Sequence, residues 1–374
     1  MRFLINCSNL KRGGGLQVAD SVCKYLPQIS QHQFVVVLSS QLEKTKQEMP
    51  ASSNVKIVTY DVPNNWQILL RGRDQYLDGL VKAEKVDAVL TIFGPSRWQP
   101  RCPHLCGFAR AQLLLKDSPY YQQISWKEKI KFKIWAYYFK KSSRAFYTEN
   151  AYISSMLPQL LGKDTKVFTV TNYYNQVFDN PAKWGKTYKL PHFDGTTILS
   201  VSTSAPHKNF AILKDVIAYL DKKYPEFNYR FVLTQKEEQL PFNIDGIKQH
   251  FVFLGQVDIS ECPYLYEQAD VMLMPTLMEC FTATYPEAMR MDVPIVTTDL
   301  PFAHSLCGEA ACFYEATNAQ AAAEAIYKVS HDQNYSQQLV NQGKQHLLTY
   351  DNYKQRAEKL VQILEKLADS RAKS

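Results

Sequence analysis

Short apolar runs rich in β-branched and aromatic residues alternate with longer helical stretches along most of the chain, and no hairpin turn joins any two runs. In the first half the strand-like runs are residues 3–7, 34–39, 55–60, 87–94, 104–109, 145–148 and 166–171. Helical periodicity falls between them at 16–26, 66–81, 126–141 and 151–161. The alternation restarts with strand-like runs at 197–202, 229–234, 252–256, 271–276, 294–298 and 311–314, and helical stretches at 210–224, 263–268 and 287–291. Consecutive strands without hairpins must pair in parallel, with helices covering both faces of the sheet. The chain is therefore expected to be α/β, with two Rossmann-like, doubly wound parallel-sheet domains. The expected boundaries are 1–180 and 196–350. Residues 181–195, rich in Pro, Gly and Lys and without periodicity, read as the linker, and a helical tail spans 351–374.

Composition limits what such a chain does. Of its 374 residues, 45% are hydrophobic and 21% charged, which suits a globular protein large enough for two cores. No apolar run reaches the length of a membrane span, and residues 1–10 run straight into Lys11-Arg12 without the long apolar region of a signal peptide. The eight cysteines are scattered, several inside apolar strands, which reads as buried reduced thiols in a cytoplasmic protein. Cys102 and Cys106 lack a second Cys/His pair at zinc spacing. No Asp-x-Asp triplet occurs, so neither a metal nor another cofactor is expected. The formal charge of +7 is concentrated between residues 127 and 144, where seven Lys/Arg accompany the single acid Glu128. That is a local patch rather than a nucleic-acid-binding composition.

The densest chemistry lies at 277–289, LMECFTATYPEAM, between the strand-like runs 271–276 and 294–298. In parallel α/β sheets ligands sit beyond the carboxyl ends of the strands, where loops meet helix N-termini. Glu279 then falls in the loop and Glu287 one turn into the helix, with the backbone N–H groups of 280–284 left free by the helix start. Carboxylates accept several hydrogen bonds and suit vicinal hydroxyls such as those of ribose or a hexose. Two of them flanking amide donors describe a site for a sugar attached to a nucleotide. Cys280, Phe281 and Thr282 line it.

The stretch resembles the E-x7-E signature of retaining GT-B glycosyltransferases of family 4 (glycosyl transferases group 1), including Pro286-Glu287-Ala288-Met289 and the following VPIV. The resemblance implies two Rossmann-like domains facing a cleft, and a last helix that returns to the first domain after Tyr350–Tyr353. It also implies that Glu279 contacts the transferred sugar and Glu287 the ribose. Where the family has Gly-Phe-Gly, this chain has Cys280-Phe281-Thr282-Ala283, so side chains stand where glycines ordinarily let backbone approach the sugar.

Three further places fit the same resemblance. Gly13-Gly14-Gly15 follows the first strand and opens a helix, a turn that tolerates close approach of an anion; Gly14 and Gly15 are expected to touch the donor. The segment STSAPHKN at 202–209 resembles the family's Gly-Arg-x4-Lys, with Lys208 in place of the lysine that neutralises the diphosphate. Thr203 replaces the arginine, and the hydroxyls of 202–204, Ser204 among them, are expected to substitute. The histidine that relatives carry near the transferred sugar is missing; Arg110 stands there instead, while His104 reads as a core residue. Asn172 matches an asparagine at the family's domain junction. A retaining front-side displacement needs no enzyme nucleophile, because the leaving diphosphate itself takes the acceptor's proton.

Residues 126–141, WKEKIKFKIWAYYFKK, form two apolar ridges on a helical wheel: Trp126, Ile130, Ile134 and Tyr137, and Phe132, Trp135 and Phe139. Lysines fill both gaps. One ridge packs on a sheet; the other stays near the surface, flanked by ammonium groups, a pattern suited to anionic lipid headgroups. Lys129, Lys133, Trp135 and Lys140 are expected on this membrane-or-acceptor face. The partners expected are a nucleotide-diphosphate sugar donor, a glycan or lipid-linked acceptor and an anionic membrane surface, and no nucleic acid. The place expected is the cytoplasmic side, peripheral at the inner face of the plasma membrane. The alternatives left open are an inactive nucleotide-sugar-binding subunit and a GT-B nucleotide-sugar 2-epimerase.

Overall fold

The computed structural model describes residues 1–11, 13–63 and 66–372. These divide into two compact units: Met1–Leu114 with Ile124–Asn172 and Asp351–Ser374, and Leu115–Gln123 with Tyr173–Tyr350.

In the first unit the elements run β1 (Arg2–Cys7), α1 (Gly14–Tyr25), β2 (Gln33–Leu38), α2 (Glu43–Glu48), β3 (Val55–Thr59), α3 (Trp66–Arg71), α4 (Gln75–Ala83) and β4 (Ala88–Thr91). They continue with β5 (His104–Gly107), a short α5 (Pro119–Gln123) that belongs to the other unit, α6 (Trp126–Ser142), β6 (Ala145–Thr148), α7 (Ala151–Leu161) and β7 (Lys166–Thr169). The seven strands form one parallel sheet in the order β3-β2-β1-β4-β5-β6-β7. Strands β1, β4, β5 and β6 are buried on both faces almost throughout, which is why they read as continuous apolar runs rather than alternating ones. The helix expected over 66–81 is two helices. Gly72 takes φ +64, which only glycine adopts readily, and Asp74 restarts the helix as an N-cap that accepts from the Leu77 N–H at 3.0 Å.

The second unit runs β8 (Thr196–Ser200), α8 (Leu213–Lys223), β9 (Tyr229–Leu233), β10 (Phe251–Phe253), α9 (Cys262–Tyr266), β11 (Val271–Met274), α10 (Thr284–Arg290), β12 (Ile295–Thr298), α11 (Pro301–Cys307), β13 (Ala311–Tyr314), α12 (Ala319–His331) and α13 (Gln333–Leu347). Its six parallel strands are ordered β10-β9-β8-β11-β12-β13. Two parallel-sheet α/β units are what the GT-B class requires, as the strand–helix alternation implies. Residues 181–195, which read as a linker, pack on the second unit: Gly185 N–H donates to Ser260 O at 2.9 Å and the Thr187 hydroxyl to Glu261 Oε1 at 2.7 Å.

The chain ends in α14 (Tyr353–Ala372), which shares a core with the strands of the first unit: Ala357, Leu360, Val361, Leu364 and Leu367 pack with Phe3, Ile5, Phe34 and Leu90. Asp351 starts this return by accepting from the Thr171 N–H at 2.8 Å, and Lys359 pairs with it at 3.0 Å. Leu364 is fully buried. Leu364→Ala is expected to cost about 2–5 kcal/mol of unfolding free energy, transfer and cavity together, in denaturant titration. A loss below about 1 kcal/mol contradicts this packing.

Candidate active site

The second sheet has one topological switch point. From β8 the chain moves outward to β9, whereas β11 enters on β8's other side and continues to β12. The loops after β8 and β11 therefore diverge and leave a crevice at the carboxyl ends of the strands. Four hydroxyl bonds brace this edge. Ser200 Oγ donates to Leu273 O (2.6 Å), Thr297 Oγ1 to Met274 O (2.8 Å) and Thr298 Oγ1 to Thr276 O (2.7 Å), and the Tyr285 hydroxyl meets Thr297 Oγ1 at 2.7 Å. The two loops are joined directly where Leu277 N–H donates to His207 O at 2.8 Å.

On this brace stand Lys208 and Glu279. Lys208 closes a 3-10 turn, Pro206–Lys208, and its ammonium lies 2.5 Å from Glu279 Oε1. Thr276 Oγ1 donates to the same oxygen at 2.9 Å. Both members of the ion pair are mostly covered, with side-chain exposures of 12% and 11%, so screening by solvent is weak and each fixes the other's position. His207 Nε2 is 3.9 Å from Glu279 Oε1. Burial holds the imidazole below its usual range, partly offset by the carboxylate and reinforced by Lys208, so it stands here as a neutral neighbour rather than an ion-pair partner.

Glu287 lies one turn into α10, as the spacing implies, and is 4% exposed. Burial pushes its carboxyl up to about 7, and the Tyr266 hydroxyl, donating to Oε2 at 3.2 Å, opposes this. Of the other expected residues in this unit, Cys280 and Thr282 are buried and Phe281 is half-buried with its ring edge-on to Tyr350. Thr282 Oγ1 donates to Thr284 Oγ1 at 3.2 Å, and Thr284 Oγ1 to Val201 O at 3.2 Å, tying α10 to the loop after β8. Ser204 Oγ accepts from Gln239 Nε2 at 3.3 Å.

Three residues beside the pair carried no sequence signal. His207 is one. The others come from Leu115–Gln123, a segment of the first half that belongs to this unit. Ser118 Oγ donates to Leu277 O at 2.6 Å, and the Tyr120 ring lies 5.7 Å from that of His207. Nothing in a local pattern announces a contact so distant along the chain.

The remaining expected residues lie in the first unit. Gly14 and Gly15 are the first residues of α1 rather than part of the turn before it, and the left-handed φ of +77 belongs to Gly13. The Arg110 guanidinium lies 4.5 Å above the Trp135 ring, a cation–π contact within this unit. His104 is a core residue: Nδ1 bonds Ser142 O at 2.7 Å, Nε2 bonds Thr91 Oγ1 at 2.9 Å, and burial lowers its pKa to about 4. On α6, Lys133 and Lys140 are exposed and Lys129 half-buried. Trp135 does not belong to their face. It sits on the same side as the buried Phe139, with Arg110 and Lys131 over its ring, and the outward aromatic is Trp126, 68% exposed. Among the described residues no group of three or more His, Cys, Asp or Glu is arranged to hold a metal, and no helix is long and apolar enough to cross a membrane.

Residues 189–346, which carry the switch point and both glutamates, match the family described as Glycosyl transferases group 1. Through this domain the chain is similar to that family, and its two parallel-sheet units have the GT-B fold. Over 183 residues it is 26% identical to a phosphatidyl-myo-inositol mannosyltransferase of Mycobacterium leprae, covering 48% of this chain and 49% of that one. Over 233 residues it is 22% identical to the O-antigen chain mannosyltransferase RfbU of Salmonella typhimurium, covering 60% and 62%. The chain thus spans about half the length of the first of these relatives and under two thirds of the second. Its fold is that of sucrose-phosphate synthase from Thermosynechococcus elongatus, with a TM-score of 0.72 at 13% identity over 99% of both chains. It is also that of Anabaena HepE, solved in complex with UDP and glucose, with a TM-score of 0.67 at 14% identity over 97% and 99%.

The raised pKa of Glu287 has a sign that can be measured. From about pH 4.5 to about 7 the unfolded chain has released a proton that the folded chain keeps, so this group's contribution falls as pH rises and levels off above 7. Glu287→Gln is therefore expected to gain stability relative to the unsubstituted protein as pH is raised across that window, in denaturant titrations at both ends. A pH-independent difference contradicts the burial argument.

Proposed function

We propose that the chain is a retaining, metal-independent glycosyltransferase that moves a sugar from a nucleotide-diphosphate donor to a glycan or lipid-linked acceptor in the synthesis of a surface polysaccharide. The observation that carries this is the Lys208–Glu279 pair at the switch point of a group 1 domain. Lys208 supplies the charge for the diphosphate, Glu279 accepts from hydroxyls of the transferred sugar, and Glu287 accepts from the ribose. On donor binding Lys208 is shared between Glu279 and the phosphate, which couples the grip on the sugar to that on the leaving group. In the front-side displacement the bond from the anomeric carbon to the β-phosphate oxygen breaks. The acceptor oxygen bonds to the same face of that carbon, and its proton passes to the departing phosphate. The protein's part is to position the groups and stabilise the developing charge. The mannosyltransferase relatives support a sugar donor and, through RfbU, a role in surface polysaccharide; the UDP and glucose bound by HepE support a nucleotide sugar.

The test is release of nucleoside diphosphate when nucleotide sugars are mixed with an acceptor extract. Glu279→Gln is expected to lower turnover about a hundredfold, the scale of a lost transition-state contact. Lys208→Ala is expected to raise the donor Kd about tenfold or more in calorimetry. Donor binding without turnover favours the inactive subunit instead, and an unchanged Kd removes Lys208 from the site.

The acceptor side of the proposal includes an anionic membrane. The outward ridge of α6 exposes Trp126 (68%), Ile130 (47%), Ile134 (51%) and Tyr137 (55%), bordered by Lys133 and Lys140, and Leu70 (68%) lies beside it where Lys141 Nζ bonds Leu70 O. An apolar ridge edged with ammonium groups fits a headgroup layer of opposite charge, which supports a peripheral position at the inner face of the plasma membrane. Co-sedimentation with anionic vesicles, lost at high salt and in Trp126→Ser/Ile134→Ser, is the expected result. Equal, negligible binding to anionic and zwitterionic vesicles contradicts it.

A further inference from the structure

Among the described residues of the second unit, the buried side-chain polar atoms that lack a hydrogen-bond partner belong to Asn209, Gln235 and Tyr314. Tyr314 ends β13, Gln235 lies just beyond β9, and Asn209 follows the Pro206–Lys208 turn in the connection after β8. Gln235 is the extreme case. It is 3% exposed, yet neither Nε2 nor Oε1 has a partner. A buried amide with both ends unpaired is costly and calls for a reason.

The backbone around Gln235 is fixed. Its carbonyl accepts from Gly255 N–H at 3.3 Å in the loop after β10, and its neighbour Thr234 accepts through Oγ1 from Ser202 N–H at 2.9 Å in the loop after β8. Gln235 thus stands in the same row of strand ends as the ion pair, on the far side of β8 from Glu279. Neighbouring strands lie about 4.8 Å apart, so β9 is about 10 Å from β11 across the row. Resting on the glycosyltransferase reading, the order along this edge is sugar at Glu279, diphosphate at Lys208 and nucleoside beyond it. An amide offers one donor and one acceptor side by side, which matches the hydrogen-bonding edge of a base and not a phosphate, which offers acceptors alone. We infer that Gln235 reads the nucleobase of the donor, its side chain pairing with the base edge when the nucleotide enters between the loops after β8 and β10.

The experiment is calorimetric titration of UDP, GDP, ADP and inorganic pyrophosphate into the full chain, into Gln235→Leu and into the nearly isosteric Gln235→Met. The expected result is that the nucleoside diphosphate bound by the unsubstituted protein loses about tenfold or more in affinity in both variants while pyrophosphate is unchanged. The melting temperature of the ligand-free variants is expected to be equal or higher, since an unpaired buried amide is replaced by apolar atoms. Equal losses for nucleotide and pyrophosphate overturn the inference, as does a lowered melting temperature with nucleotide affinity intact, which assigns Gln235 a structural role. If the unsubstituted protein binds nucleoside diphosphates and the variants bind them equally well, only this inference fails; if it binds none of them, the glycosyltransferase reading fails with it.

Discussion

Everything chemical in the second unit depends on the order in which β11 joins its sheet. Because β11 pairs with β8 on one side and β12 on the other, while β9 lies across β8, the loops bearing Lys208 and Glu279 open at one place. The ion pair closes there, backed by Thr276 and by the bond from Leu277 N–H to His207 O. Neither charge stands alone in its mostly covered position, which is what makes the arrangement tolerable without ligand. On the proposed reading a bound diphosphate adds a second anion beside the same ammonium group, and the pair serves as a pre-formed frame rather than a structure built on binding.

The first unit solves a different problem with buried charge. Arg356 from α14 and Glu149, just after β6, are both buried, and burial pushes the Glu149 carboxyl up to about 7 while the guanidinium pulls it back. The Arg356 guanidinium loses basicity to the same burial and regains part of it from Glu149, Tyr147 and Asp351. One of its nitrogens donates to Ser21 on α1. The apolar side of α14, from Ala357 to Leu367, completes the core over β1 and α1. Helix α14 is thus a structural part of the first unit.

What could be read from the residues alone was whatever is encoded locally. Glu279 and Glu287 share one strand–loop–helix segment, and their spacing placed one in the loop and one a turn into α10. The doubly wound class followed from strand-like runs alternating with helical stretches and joined by no hairpin. The pairing of Lys208 with Glu279 was not legible, since each was assigned to ligand by its own loop and their mutual contact arises from sheet order. The start of α1 was read at Leu16 whereas Gly14 already opens it, because three glycines in a row do not say which takes the positive φ; it is Gly13. The helical wheel found both ridges of α6 but not which one turns inward, a choice made by Phe139 and Phe108 packing at 4.8 Å. Leu115–Gln123 carries no sign that it belongs with the second unit.

Hydrogen exchange on the full chain, with and without a nucleotide sugar, tests the central claim most directly. The account predicts slowed exchange confined chiefly to the backbone of 202–209 and 276–287, the two loops that diverge at the switch point. Slowing elsewhere, with these two loops unchanged, would contradict it.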